Sequence, residues 1–254
     1  MNWLQMIERR SSVREYETDV DEATLAQVRK ICEHAKGCNS AHLEYHLLPG
    51  SQVHSALKSI GPVGRIFAPW YIAAVTTFDR EALFNMGYSS QRVILHLTAL
   101  ELGTCWLGAL FDADALGDIL CLEKGYAIRA LVAWGRPRRD RQASRRSKRL
   151  PPEKIAIFES ARDTRYPWRT VMEAVRWAPS AMNRQPWRLQ FYSDGVHLYS
   201  KPVRIARSFT PVDMGIALCH LELACQQLAI PGSIVHAEHP QRKGWEYWAS
   251  YQLD

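Results

Sequence analysis

Hydrophobic residues recur along the chain at the spacings of both helices and strands. Helical spacing is found at residues 21–32, 90–102, 170–177 and 214–228. Short apolar or alternating runs predict strands at residues 70–77, 129–134, 189–192, 197–200 and 246–253. Helices and strands mix without regular β-α-β alternation, so the pattern favours an α+β fold over a doubly wound sheet.

The pattern also repeats within the chain. Residues 29–42 align with residues 172–185 at a constant offset of 143. Met86-Gly87 and the apolar run after them align with Met214-Gly215 and their run at an offset of 128, because the intervening loops differ in length. A repeat of this size predicts two halves that pack on each other rather than a solenoid.

Residues 178–188, Ala-Pro-Ser-Ala-Met-Asn-Arg-Gln-Pro-Trp-Arg, form the most informative segment of the chain. Pro179 stops the preceding helix, Pro186 restricts Gln185, and the backbone between them must expose polar groups. A planar heterocycle with hydrogen-bonding edges would satisfy those groups. We therefore interpret the segment as a ligand-binding turn.

The first half has lost this polar set. At the positions of Pro179, Ser180, Asn183 and Gln185 it has Lys36, Gly37, Ser40 and His42. The connection between helix and strand is expected to persist there without the residues that bind the ligand.

The turn resembles the flavin-contacting turn of the FMN-dependent nitroreductase family, and residues 10–16, Arg-Ser-Ser-Val-Arg-Glu-Tyr, resemble a second signature of that family. The two motifs lie more than 160 residues apart here, whereas about one helix separates them in ordinary members. The chain is most similar to a subgroup in which two half-length copies are fused, so that one chain mimics the usual homodimer. The resemblance covers nearly the whole chain. It implies a nitroreductase-like α+β fold with a first repeat at 1–160, including a basic linker, and a shorter one at 161–254.

The resemblance also implies where FMN binds. In the family homodimer one subunit supplies the Arg-x-Ser-x-Arg segment, a Gly-x-x-x-x-Gly region and a basic C-terminal segment, and its partner supplies the turn. This chain keeps one set of each, which implies one composite site and one lost site. The implied cofactor-binding residues are Arg10, Ser11, Ser12, Arg14, Gly108, Ala109, Leu110, Arg146, Arg149, Pro179, Ser180, Asn183 and Gln185.

Each group in this set has an expected task. Arg10, the hydroxyls beside it and Arg149 would bind the flavin phosphate, because guanidinium groups form strong charge-assisted bonds to phosphate. Arg146 or Lys148 would replace the basic residue that the family has at Ser147. Backbone N–H groups near Ala109 and Leu110 would reach the flavin N5.

The implied reaction has two half-reactions. NADH or NADPH passes hydride to the flavin and leaves, and a flat acceptor such as a nitroaromatic or a quinone then collects the electrons. Such a site needs fixed electrostatic donors rather than a nucleophile, so no catalytic side chain is predicted, and His96 and His220 are interpreted as core histidines. A flavin-binding protein without turnover, such as a sensor, carrier or storage protein, remains the alternative.

Composition limits the other possibilities. A chain of 254 residues with 47% hydrophobic residues can bury a large core. Much of the net charge of +6 comes from residues 136–149, which we interpret as a solvated linker; without interleaved aromatic residues this run does not favour nucleic-acid binding.

Targeting and assembly follow from what the sequence lacks. It has no membrane-length apolar run and no apolar signal core, so we expect a cytoplasmic protein with reduced cysteines. The cysteine spacing does not predict a metal site. The expected partner is a small-molecule electron acceptor, and the chain is expected to act as a monomeric pseudo-dimer.

Overall fold

The structure, a computed structural model, describes residues 1–59, 64–138, 148–159 and 167–254. The chain forms two compact units. The N-terminal unit comprises Arg9–Met86 and Arg92–Arg146, and the C-terminal unit comprises Met1–Glu8, Gly87–Gln91 and Ser147–Asp254. The predicted boundary after residue 160 lies outside the described residues and stays a prediction.

Helices and strands of the described residues alternate irregularly along the chain. The helices are α1 (Trp3–Arg9), α2 (Glu22–Glu33), α3 (Gly50–Val53), α4 (Arg80–Ala99), α5 (Ala113–Leu120), α6 (Pro152–Ile155), α7 (Trp168–Arg176) and α8 (Thr210–Gln227). The strands are β1 (Glu44–Pro49), β2 (Trp70–Thr76), β3 (Gly103–Leu107), β4 (Ala127–Gly135), β5 (Ala156–Phe158), β6 (Trp187–Tyr192), β7 (Gly195–Ser200), β8 (Ser233–Val235) and β9 (Glu246–Gln252). They form two sheets, which confirms the predicted α+β class.

The sheet of the N-terminal unit has the strand order β1-β2-β4-β3, and all its neighbours are antiparallel. Successive side chains of a strand point to opposite faces, so its strands serve two cores. Tyr71 packs in one core, whereas its neighbour Ile72 packs in the other, which also contains Val28 of α2 and Ile94 of α4. Both faces of this sheet are therefore covered.

The sheet of the C-terminal unit has the order β5-β6-β7-β9-β8. Its strands β6-β7-β9-β8 are antiparallel and follow the order that β1-β2-β4-β3 follow in the other sheet, while β5 adds one parallel strand beside β6. Every residue of β7 is buried. Within α8 the buried residues include every position from 212 to 221, as expected for a helix that is apolar on all sides.

The sequence predicts the start of one of these helices correctly and the start of another wrongly. α2 is confirmed, because Asp21 accepts a hydrogen bond of 2.7 Å from the Thr24 N–H and caps the helix. The predicted start of α4 at residue 90 is wrong, since Asp79 accepts from the Ala82 N–H at 2.8 Å and the helix begins at Arg80. None of the helices in the described part of the chain is long and apolar enough to cross a bilayer.

Candidate functional site

The turn between α7 and β6 has an unusual backbone. It contains a 3-10 segment at Ala181–Asn183, and Met182, Asn183 and Gln185 adopt φ values of 50°, 55° and 49°. Residues other than glycine rarely take positive φ, and each such conformation costs on the order of 1–3 kcal/mol. Other contacts must hold this turn in place.

Some of those contacts lie within the turn. The Ser180 Oγ accepts a hydrogen bond from the Gln185 N–H at 2.9 Å, and the Ser180 carbonyl accepts from the Asn183 N–H at 3.0 Å. The Gln185 Nε2 donates to the Asn183 carbonyl at 3.0 Å. Three of the predicted flavin-binding residues thus fix one another's positions.

The segment before α6 provides a second set of contacts. The Leu150 N–H donates to the Gln185 Oε1 at 2.8 Å, and the Asn183 Nδ2 donates to the Lys148 carbonyl at 2.7 Å. The side-chain amides of Asn183 and Gln185 therefore bind residues 148–150. An amide has two lone pairs and two N–H groups, so each of these side chains retains one of each beyond these internal bonds.

Arg149 joins the turn to the end of α7. One guanidinium nitrogen donates to the Asn183 Oδ1, and the other donates to the Trp177 carbonyl at 3.1 Å. The guanidinium carbon also lies 5.7 Å from the centre of the Trp177 ring, within the range of a cation–π contact. The sequence predicts a contact between Arg149 and the flavin phosphate, whereas the contacts described within this unit support the turn.

The Arg-x-Ser-x-Arg segment lies along β3 in the N-terminal unit. Ser12 forms an isolated parallel bridge with Thr104, and the Val13 N–H donates to the Thr104 carbonyl at 2.9 Å. Gly103 permits this approach, because a Cβ there would lie 2.8 Å from the Val13 side chain. Residues 103–108 are the Gly-x-x-x-x-Gly region that the sequence assigns to the site, so the structure brings two of the assigned segments together.

Arg10 is the most unusual charge in this segment. Its Nε is shielded from water and has no hydrogen-bond partner among the described residues, and burial lowers the pKa of Arg10 to about 10. The Cys105 thiol lies nearby, and the positive charges of Arg14 and Arg10 partly offset the rise in its pKa caused by burial. A shielded N–H of a cation that lacks an acceptor among the described residues is costly, so the position suits an anion such as a phosphate.

The remaining predicted residues differ in how far the structure locates them. Ser11, Ser12 and Arg14 are exposed, and Pro179 is half-buried at the start of the turn. Gly108, Ala109 and Leu110 follow β3 as an irregular segment, in which the Leu110 carbonyl accepts from the Lys58 N–H at 2.7 Å. Arg146 lies outside the described residues.

Other candidate side chains belong to the cores. His220 is confirmed as a core histidine, because its Nδ1 lies 2.8 Å from the Ala174 carbonyl and its Nε2 lies 2.9 Å from the Gln91 Nε2. Trp187, from the same segment as the turn, is fully buried in β6.

Sequence reasoning missed Asp213, in the first turn of α8. Its Oδ1 accepts a hydrogen bond of 2.9 Å from the Ala181 N–H, and burial raises its pKa to about 8 although that bond opposes the rise. A signal for it was present in the sequence. The offset of 128 that aligns Met86 with Met214 also aligns Asn85 with Asp213.

Comparison with known proteins agrees with this architecture. A sequence model of the family described as "Putative TM nitroreductase" matches residues 2–225. A crystal structure of a "putative nitroreductase" from Thermotoga maritima is similar with a TM-score of 0.68 at 23% identity, over 100% of this chain and 94% of that one. For a nitroreductase family protein from Streptococcus pneumoniae the TM-score is 0.51 at 16% identity, over 60% of this chain and 98% of that one.

These two structural likenesses show the fold. No curated protein sequence gives a significant match. The family match extends over most of the chain, and the chain therefore belongs to the "Putative TM nitroreductase" family.

Proposed function

We propose that the chain is an FMN-dependent oxidoreductase that takes electrons from NADH or NADPH and reduces a flat acceptor such as a nitroaromatic or a quinone. The observation that carries the proposal is the turn at residues 179–185, a polar segment with three non-glycine residues at positive φ. Strained backbone of this kind clusters at ligand sites, where the surrounding structure holds it. Membership of a nitroreductase family supports the same class of reaction.

Arg10 is the proposed main contact of the FMN phosphate. Its shielded Nε lacks an acceptor among the described residues, and a phosphate oxygen would supply one. Ser11 and Ser12 add exposed hydroxyl donors beside it, and Arg14 adds a second positive charge. This combination suits a phosphate monoester, because charge-assisted hydrogen bonds are roughly twice as strong as neutral ones.

Backbone and amide groups are the proposed contacts of the flavin ring. Asn183 and Gln185 retain hydrogen-bonding capacity beyond their internal bonds. The N–H groups of Ala109 and Leu110 donate no backbone hydrogen bond to any described residue, and they would approach the flavin N5. Hydride transfer is the chemistry that bound FMN supplies, while the chain supplies fixed donors where negative charge collects on the ring.

The proposed architecture is a duplicated chain with one FMN site to which motifs from both halves of the sequence contribute. The shared strand order of the two sheets supports the duplication, and so does the equivalence of Asn85 and Asp213, since each accepts a hydrogen bond from the connection that precedes its sheet. Only the second connection keeps the polar residues of the flavin turn. We therefore propose one FMN per chain and activity as a monomer.

A small-molecule acceptor, rather than nucleic acid or a membrane, is the proposed partner, and the cytoplasm is the proposed location. Two arginines from the basic run have internal partners in the structure. Arg136 pairs with Asp21 at 2.7 Å, and Arg149 binds the turn. These contacts support a structural use of the described part of the run.

Anaerobic reduction of the FMN-loaded protein tests the proposed function. We expect NADH or NADPH to bleach the flavin absorbance rapidly, and a quinone or nitroarene to restore it rapidly. A protein that binds FMN but stays yellow with both nucleotides would support the sensor, carrier or storage alternative. A protein that binds no FMN would contradict both functions.

A further inference from the structure

Asp213 contacts the strained turn from helix α8. Only 4% of its surface is exposed, and its Oδ1 accepts from the Ala181 N–H at 2.9 Å. Ala181 is the first residue of the 3-10 segment, directly before the positive-φ residues Met182 and Asn183. This bond therefore fixes the backbone at the point where the strained conformation begins.

Asn85 makes the corresponding contact in the N-terminal unit. Its Oδ1 accepts from the Cys38 N–H at 2.8 Å, and Cys38 aligns with Ala181 at the same offset that relates the two connections. Asn85 also donates to the Ala41 carbonyl at 2.9 Å, so one amide satisfies both a donor and an acceptor of the connection. Equivalent positions on α4 and α8 thus support the two connections, with an amide on α4 and a carboxyl on α8.

We propose that Asp213 is a positioning residue for FMN binding, which holds residues 181–185 in the conformation that binds the flavin. The inference rests on the proposed function. The buried carboxyl can do this in its neutral form, which burial favours up to a pH of about 8. A protonated carboxyl presents a carbonyl acceptor beside a donor group, as an amide does, so asparagine should replace it.

Three variants test the inference, each beside the wild type. Asp213→Leu removes the acceptor at similar size, Asp213→Asn keeps an acceptor, and Asn85→Leu is the matched change at the other connection. FMN affinity is measured by quenching of flavin fluorescence. Amide hydrogen exchange of the flavin-free protein reports separately on residues 179–185 and 36–42.

We expect Asp213→Leu to weaken FMN binding about tenfold, the loss typical of one hydrogen bond that leaves a buried donor unpaired, and to speed exchange in residues 179–185. Asp213→Asn should restore both to near the wild-type values. Asn85→Leu should speed exchange in residues 36–42 and leave FMN affinity unchanged. If Asp213→Leu does not fold, Asp213→Ala takes its place in the same comparison with Asp213→Asn.

Three results would overturn the inference, two of them without affecting the proposed function. If the wild type binds FMN and loss of the Asp213 acceptor changes neither affinity nor exchange, the inference fails alone. The inference also fails alone if Asp213→Asn weakens FMN binding and speeds exchange as much as Asp213→Leu does. If the wild type binds no FMN, the proposed function fails and the inference fails with it.

Discussion

Residues 36–42 and 179–185 each connect a helix to the first antiparallel strand of a sheet, yet their backbones differ. No residue of the first connection has positive φ, whereas Met182, Asn183 and Gln185 do in the second. Gly37 lies so close to Asn85 that a Cβ there would be 2.3 Å from the Asn85 Oδ1. The first connection therefore has an unstrained backbone, whereas the second combines a strained backbone with polar side chains.

The difference indicates what the ligand turn requires. In the first connection His42 contacts Glu44, and 2.8 Å separate the His42 Nε2 from the Glu44 Oε1. In the second, Gln185 at the aligned position is buried and binds the Leu150 N–H. The second connection is thus supported by a segment distant in sequence, and its disruption should affect both folding and ligand binding.

Loss of the Arg149 guanidinium should have the largest effect. Arg149→Ala removes the bonds to Asn183 and Trp177, and it should lower the free energy of unfolding by about 3 kcal/mol. Affinity for FMN and for riboflavin should fall together, because the turn itself is released. Chemical unfolding and flavin titration measure both, with Lys154→Ala as control because Lys154 is an exposed cation of the neighbouring helix α6. A loss restricted to FMN would show instead that Arg149 binds the phosphate.

Loss of Arg10 should separate the two ligands. Arg10→Ala should weaken FMN binding by about 1.5–3 kcal/mol, the range for hydrogen bonds to charged groups, and leave riboflavin almost unaffected. The neighbouring Arg9→Ala is the matched control, because Arg9 forms an ion pair with the exposed Glu101 at 3.3 Å. Equal losses for both ligands in Arg10→Ala would assign this arginine to the fold.

The aligned pair Asn183 and Ser40 tests the two connections directly. Asn183→Ala should reduce FMN affinity by about 1–3 kcal/mol and also lower stability, because its amide binds Arg149 and the Lys148 carbonyl. Ser40→Ala should change neither quantity. Titration and unfolding of both variants give the comparison, and an effect restricted to Ser40 would place the flavin elsewhere.

The carboxyl of Asp213 should give a pH dependence that Asn85 cannot give. Its pKa is about 8 in the folded protein, against 3.8 for an unperturbed aspartate, so between these values the folded state keeps a proton that the unfolded state has lost. The free energy of unfolding should therefore fall as pH rises from about 4 to about 8, by at most about 1.4 kcal/mol per pH unit. Asp213→Asn should lack this dependence. Urea unfolding across that range measures it, and a constant difference between the two proteins would rule out the raised pKa.

The sequence predicts the helices and turns of this molecule correctly where the signals are local. Asp21 and the apolar spacing after it predict α2, and Pro179 and Pro186 predict the turn. The sequence does not predict the start of α4 because polar residues interrupt its apolar stripe; Asn85 and Ser89 are buried there, and Asn85 binds Cys38, which is distant in sequence.

The support of the turn was less predictable for the same reason. Arg149 and Asn183 are 34 residues apart, and Asp213 and Ala181 are 32 apart. No local pattern marks such pairs. Alignment of the two halves does mark Asp213, because Asn85 occupies the equivalent position.

The number of FMN molecules bound per chain is the most direct test of the claim that only the second connection forms a flavin site. Equilibrium dialysis of the flavin-free protein against FMN, at several protein concentrations, measures it. One equivalent per chain with an affinity independent of protein concentration is the expected result. Two equivalents, no binding at saturating FMN, or a site lost on dilution would contradict the account.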